Sequence, residues 1–507
     1  MTDHTAAQAA SGREAAMPLF VAGLLAVVAI TAFRIGGLVL AESDLFFDEA
    51  QYWFWSRSIE GGYFSKPPGI ALVIAATTSF CGDGEACVRM GAPLLYGVSA
   101  ILCGLFAYRL AGPFAGFLAA LFMATIPGIT FGARLVSTDA PLMACWIAAL
   151  LVYHRYLRTG FWRDALLLGA LVGLGFLAKY AMVFFGFCLA IHALVERQVL
   201  RRLLDVKLWV GLGVAVAVFS PNIVWNLSNG AVTFSHTADN ASWGGDLFNL
   251  DELAEFSGAQ VGIIGPVLFA VILLGFWRHG RSLSSDERFL LAFSLPILAT
   301  MCLQALISRA NANWAALAFP ALVLLAVLFL VRWRAESKRV VGWFVGIALL
   351  SHGIGLVGLA IVDVNMRTWS LQAERTPFKR VLGWEAVSNE IRTVAEERDI
   401  RTVVSNTRSV LAQLTYYLRD EPFPVTAWQY ADSPRNHYEQ VAPATPDSLG
   451  PVLLVTRCNI DFAADLPESR ETGMVSVPIA AERQRRLYWA VIDAVPSRLI
   501  PLADCRG

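Results

Sequence analysis

The sequence predicts a polytopic α-helical membrane protein, with about 11 transmembrane helices and a soluble α/β domain over residues 364–507. Three observations predict it. The 507 residues are 56% hydrophobic and only 16% charged, with a mean hydropathy of +0.55, against roughly 25% charged in an ordinary soluble domain. Apolar runs recur at spanning length up to residue 362. From about Asn365 charged residues rise and apolar runs shorten to strand length. The formal net charge is zero, so no basic field exists to recruit nucleic acid.

Residues 1–16 read as a cytoplasmic tail, and Met17–Ala41 as a retained first helix rather than a cleaved signal. Residues 42–88 form the first outside loop. Within it Ile70–Phe80 is apolar but too short to span, which suggests a re-entrant or interfacial helix. Further spans are expected at 89–108, 111–131, 140–157, 165–179, 181–196, 208–225, 261–277, 289–307, 315–331 and 340–362, completing a membrane domain over 17–363. Cations cluster in alternate loops: Arg155, Arg158 and Arg163; Arg197, Arg201, Arg202 and Lys207; Arg278, Arg281 and Arg288; Arg332, Arg334, Lys338 and Arg339. The positive-inside rule places those loops in the cytoplasm and the C-terminus outside an inner, or plasma, membrane. The outside loop over 220–260, rich in aromatic and amide side chains, reads as a lid carrying His236. In the last domain TVVS (402–405) and VLLVT (452–456) read as strands, and Trp384–Arg398 and Ser409–Leu418 as helices. Cys81 and Cys87 either close a small loop or remain thiols, and Cys458 and Cys505 could pair.

The chemistry gathers on the outside face. FDEAQYWFW opens the first loop, with Asp48 and Glu49 one turn before Tyr52; Tyr63 and Lys66-Pro67-Pro68 follow. RLVSTDAP supplies Arg134 and Asp139 in a short turn, SRANANW supplies Arg309 in another, and Lys179-Tyr180 lies between two spans. Ionisable residues at membrane depth are costly unless partnered or working. Each has a plainer reading: Asp139 as a helix N-cap, Arg309 and Lys179 as headgroup anchors, Lys66 as a snorkelling cation and His236 as a loop histidine. Their convergence at one face favours a site, with Asp48, Glu49 and Asp139 as catalytic carboxylates and Lys66, Tyr52, Tyr63, Arg134, Lys179, His236 and Arg309 as substrate-binding groups. No cofactor is required by the pattern, and a divalent metal is possible.

The run FDEAQYW…GGYFSKPPGIALVI, then RLVSTDAP, then GLGFLAKYAMVFF, resembles the polyprenyl-phosphate-sugar glycosyltransferases of the GT-C superfold. These include the bacterial aminoarabinose transferase of lipid A and the protein mannosyltransferases. The likeness covers roughly residues 17–330. It implies an acidic residue of the first loop at Asp48, a second at Asp139, and a lysine beside the donor phosphate at Lys66. It implies a membrane enzyme that moves one sugar from a polyprenyl-phosphate donor to a glycolipid or glycan acceptor such as lipid A, inverting the anomeric carbon. The Trp-Trp-Asp-Tyr-Gly motif of oligosaccharyltransferases is absent, against en bloc transfer to asparagine. A protein O-mannosyltransferase-type acceptor and a secondary transporter remain the alternatives; the second sits poorly with the lack of internal repeats.

Overall fold

The computed structural model describes residues 2–239, 248–445, 450–460, 462, 466 and 469–495, the side chains of 2–16 and 236–239 excepted. The chain divides into two compact units, each assembled from separated segments.

The membrane unit comprises Met1–Leu38, Pro67–Val73 and Arg89–Ala360. Among the described residues seven helices are long and apolar enough to cross a membrane, or eight if one sharply bent pair counts as a span. That is fewer than the 11 expected, for local reasons. The run 111–131 breaks at Ile126, whose ψ of 143° is extended as the following Pro127 demands, leaving Pro113–Thr125 and Pro127–Gly132. The run 261–277 is half of a pair, Leu250–Ile264 and Pro266–His279, bent by 101° at Gly265-Pro266. The runs 165–179 and 181–196 become Trp162–Ala178 and, after one turn of 3-10 helix, Val183–Val195, both short of the usual span. Helix Trp162–Ala178 packs backbone to backbone on Val206–Ser228: a Cβ at Gly169 would stand 1.9 Å from the Gly211 carbonyl oxygen. Small residues permit such close approach where no hydrophobic drive exists between helices in lipid. Helix Phe319–Glu336 lies in the middle of the apolar core, with Leu324, Leu325, Phe329 and Leu330 wholly buried. In Lys338–Val364 Trp343, Leu350 and Ile354 are about two-thirds exposed, as a lipid-facing helix requires.

The second unit comprises Val39–Lys66, Ile74–Val88 and Ile361–Gly507. Its sheet has five strands: β1 (Thr402–Ser405), β2 (Val425–Ala427), β3 (Val452–Thr456), β4 (Glu471–Ala480) and β5 (Arg483–Ile492). The order is β2-β1-β3-β5-β4; β2-β1-β3 are parallel and β5 and β4 antiparallel. β1 and β3 are buried along their whole length, so they read as continuous apolar runs. The β4–β5 hairpin was not expected, because its alternation is diluted by Arg483, Arg485 and Arg486.

The first loop packs with this sheet domain rather than standing alone. Its helix Phe47–Ser56 lies against helix Arg408–Tyr417, with the Trp53 ring edge-on to Tyr416 at 5.0 Å. The Gln413 amide donates to the Leu45 carbonyl at 2.7 Å, and the Tyr416 hydroxyl donates to the Asp83 carbonyl at 2.7 Å. Cys81 and Cys87 form a disulfide, one of the two outcomes left open above. Cys458 is also disulfide-bonded, while Cys505 lies outside the described residues.

Candidate active site

The carboxylate best placed for chemistry in the sheet-bearing unit is Asp48, in the first turn of helix Phe47–Ser56, where the helix dipole favours negative charge. Gln51 follows at i+3 on the same face. Arg408, at the start of its own helix, bridges the two. One guanidinium nitrogen pairs with Asp48 Oδ1, Nε donates to Gln51 Oε1 at 2.5 Å, and Cζ lies 5.1 Å from the Phe47 ring centre. Asp48 is one-third exposed, and its Oδ2 accepts no hydrogen bond among the described residues.

The neighbouring groups divide by task. Glu49 is buried and its Oε2 accepts the Phe46 N–H at 2.9 Å. It caps its own helix. Tyr52 is buried with its ring 5.2 Å from Trp55. Tyr63 stacks on Trp55 at 4.6 Å and 2° and braces the loop, its hydroxyl within 2.9 Å of the Trp55 and Ser58 carbonyls. Burial pushes the Tyr63 phenol up to about 12. His437 stands edge-on to both rings, and burial pulls its imidazole down to about 4. Lys66 is half-buried at the end of this loop, with its carbonyl accepting the Tyr63 N–H at 3.0 Å.

In the membrane unit the central group is Asp139. It occupies the first position of helix Asp139–Thr159, and no side chain caps that helix, so the N-cap reading fails. Lys179 Nζ donates to Oδ1 at 2.6 Å and Asn313 Nδ2 to Oδ2 at 2.9 Å. Lys179 reaches it from the extended break after helix Trp162–Ala178. Gly69 packs beside that break: a Cβ there would stand 2.7 Å from the Leu177 carbonyl oxygen. The glycine after Lys66-Pro67-Pro68 thus permits a contact that no side chain could. Arg134 is half-buried near Phe131, and burial, with Arg89 beside it, lowers its guanidinium to about 10. Arg309 is exposed. The His236 side chain lies outside the described residues. Among the described residues no three His, Cys, Asp or Glu side chains cluster closely enough to hold a metal ion.

The family model for dolichyl-phosphate-mannose-protein mannosyltransferase matches residues 65–225. The structure of the aminoarabinose transferase ArnT from Cupriavidus metallidurans bound to undecaprenyl phosphate superposes with a TM-score of 0.62 at 17% identity, over 93% of this chain and 97% of that one. The lipid A galacturonosyltransferase RgtD of Rhizobium johnstonii is 33% identical over 452 residues, 88% of this chain and 93% of that protein. This chain belongs to the GT-C glycosyltransferases. The lipopolysaccharide core galacturonosyltransferase RgtA of the same organism is a more distant relative, 25% identical over 68% of the chain.

As a GT-C glycosyltransferase the protein has two carboxylates that differ in how their oxygens are hydrogen-bonded. Asp48 keeps one oxygen open, whereas both oxygens of Asp139 are engaged. Sequence reasoning missed Arg408 and Gln51, which no local pattern marks. It quoted Asn313 within SRANANW without assigning it a role.

Proposed function

We propose that this glycosyltransferase moves one sugar, of the galacturonate class, from a polyprenyl-phosphate donor to lipid A on the outer face of the inner membrane. The observation that carries this reading is the 33% identity to RgtD across nearly the whole of both chains. The residues supply a mechanism. Asp48, through Oδ2, takes the proton of the acceptor hydroxyl as the oxygen attacks the anomeric carbon. Arg408 fixes the other carboxylate oxygen and so the direction of Oδ2. The bond to the lipid phosphate breaks in the same displacement, which inverts the anomeric centre. Lys66 stabilises the charge growing on the departing phosphate. Asp139, clamped by Lys179 and Asn313, orients those two side chains rather than accepting a proton. Residues 364–507 face the periplasm together with the first loop.

The test is transfer by purified enzyme from undecaprenyl-phosphate galacturonate to lipid A, read by mass spectrometry. One hexuronate of added mass is expected. Lys66→Ala should lose activity by roughly the 1.5–3 kcal/mol of a charge-assisted hydrogen bond, part of it in turnover. Transfer to a protein hydroxyl with none to lipid A would overturn the acceptor. A Lys66→Ala enzyme with full turnover and donor affinity would remove Lys66 from the phosphate.

A further inference from the structure

Helix Asp139–Thr159 has 21 residues, so its last turn lies on the order of 30 Å from Asp139. There, in the membrane unit, a polar cavity of about 490 Å³ opens, walled by His154, Arg158, His192, Glu196, Arg202 and Asp286. Its two carboxylates are already matched. Asp286 Oδ1 lies 2.8 Å from His154 Nε2 and 3.1 Å from Arg158 Nη2, and Glu196 is held by Arg288 at 2.5 Å. Arg202 makes no ion pair among the described residues. Its guanidinium lies against the turn at Gly160, where a Cβ would meet Nη1 at 2.6 Å. Arg202, with Asp205 nearby, is therefore the lining arginine that neither lining carboxylate holds.

A second cavity, of about 430 Å³, is almost wholly apolar and lies between helices Trp162–Ala178, Val183–Val195 and Val206–Ser228. The two share a wall. On the short helix Arg197–Leu203, Val199 and Arg202 line the polar cavity and Leu203 lines the apolar one. Around the apolar groove Trp209 and Leu212 are more than half exposed, on a helix long and apolar enough to span. A ligand that satisfies both spaces carries an anionic head and a hydrocarbon tail.

We propose that this is a binding site for an acidic phospholipid, its phosphate held by Arg202 and Arg158 and one acyl chain lying in the groove. The site stands apart from Asp139 and needs no sugar donor, so it holds or fails independently of the proposed transfer reaction. Basic pockets between spanning helices commonly take such headgroups.

The experiment titrates the full-length protein, purified in detergent, with phosphatidylglycerol, phosphatidylcholine and undecaprenyl phosphate, reading bound lipid by native mass spectrometry. Phosphatidylglycerol should bind in preference to phosphatidylcholine. Arg202→Gln should weaken it roughly fivefold, one basic residue's attraction to an anionic lipid. Gly186→Leu gives a second variant: Gly186 lines the groove and a Cβ there meets nothing within 4 Å, so the added side chain fills the tail space without a clash. It should reduce phosphatidylglycerol binding while the melting temperature is kept. Three results overturn the proposal: equal retention of both phospholipids, binding of undecaprenyl phosphate alone, or displacement of the lipid by soluble glycerol phosphate at equal concentration, which needs no groove.

Discussion

Asp48 and Asp139 differ less in type than in what holds them, and that difference makes them separable by mutation. Asp48→Asn should cost on the order of 10² to 10⁴ in transfer rate, the usual loss of a general base. Arg408 touches Asp48 and Gln51, so Arg408→Gln should lower kcat with little change in donor KM, and Arg408→Lys should recover part because one of its two hydrogen bonds can re-form. Steady-state kinetics at several donor concentrations checks the split; a rise in KM at unchanged kcat would make Arg408 a donor ligand instead. His437 gives a test in pH. Its folded-state value near 4 lies below the ordinary 6.5, so the unfolded chain binds more protons in between. Stability from this group is complete above pH 6.5 and is lost as pH falls toward 4. Between pH 6.5 and 5 the loss should be roughly 2 kcal/mol, and His437→Phe, which keeps the ring contacts with Trp55 and Tyr63, should lose correspondingly less in thermal melts. At this scale the sequence exposes side chains whose neighbours give them away: Asp48 and Lys66 beside aromatics and prolines, Asp139 in a short polar turn. It hides Arg408, which lies 360 residues from its partner. Glu49 was readable as a helix cap from its place three residues after Phe46.

Helices reveal themselves when apolar length alone decides them, and fail to when a break is set by one residue. Met17–Leu40 and Lys338–Val364 are legible as uninterrupted apolar runs. Pro127 and Pro266 each interrupt an apolar run that hydropathy averages over, so both broken helices read as whole spans. The hairpin β4–β5 was lost for the opposite reason, since its exposed face carries enough arginine to look like loop. Contact between elements yields a prediction at Gly169. Gly169→Leu would drive a side chain into the Gly211 backbone, where nothing can move aside cheaply. Overpacking costs about 1–3 kcal/mol or more, so the variant should melt several degrees lower in detergent, while Gly213→Leu, with open space at its Cβ, should not. Equal melting temperatures would mean that the two helices separate freely.

For the whole molecule, the pairing of the first loop with residues 361–495 constrains how the chain is threaded. Both segments belong to one compact unit, so the chain must cross the membrane an even number of times between them. Alkaline phosphatase inserted after Gly61 or fused after Gly507 should therefore behave alike, and both should be active if the arginine-rich loops are cytoplasmic. One active and one inactive fusion would break the pairing. The same ion pair also has a schedule. Arg408 is synthesised 360 residues after Asp48, which at 5–20 residues per second is roughly 20–70 s later. During that interval the first loop has left the ribosome without the helix it packs on, and its carboxylate has no partner. A chain arrested before residue 400 should be cut by protease within residues 47–66, where the finished protein resists. The Asp48–Arg408 pair is thus completed only once the membrane helices have been made.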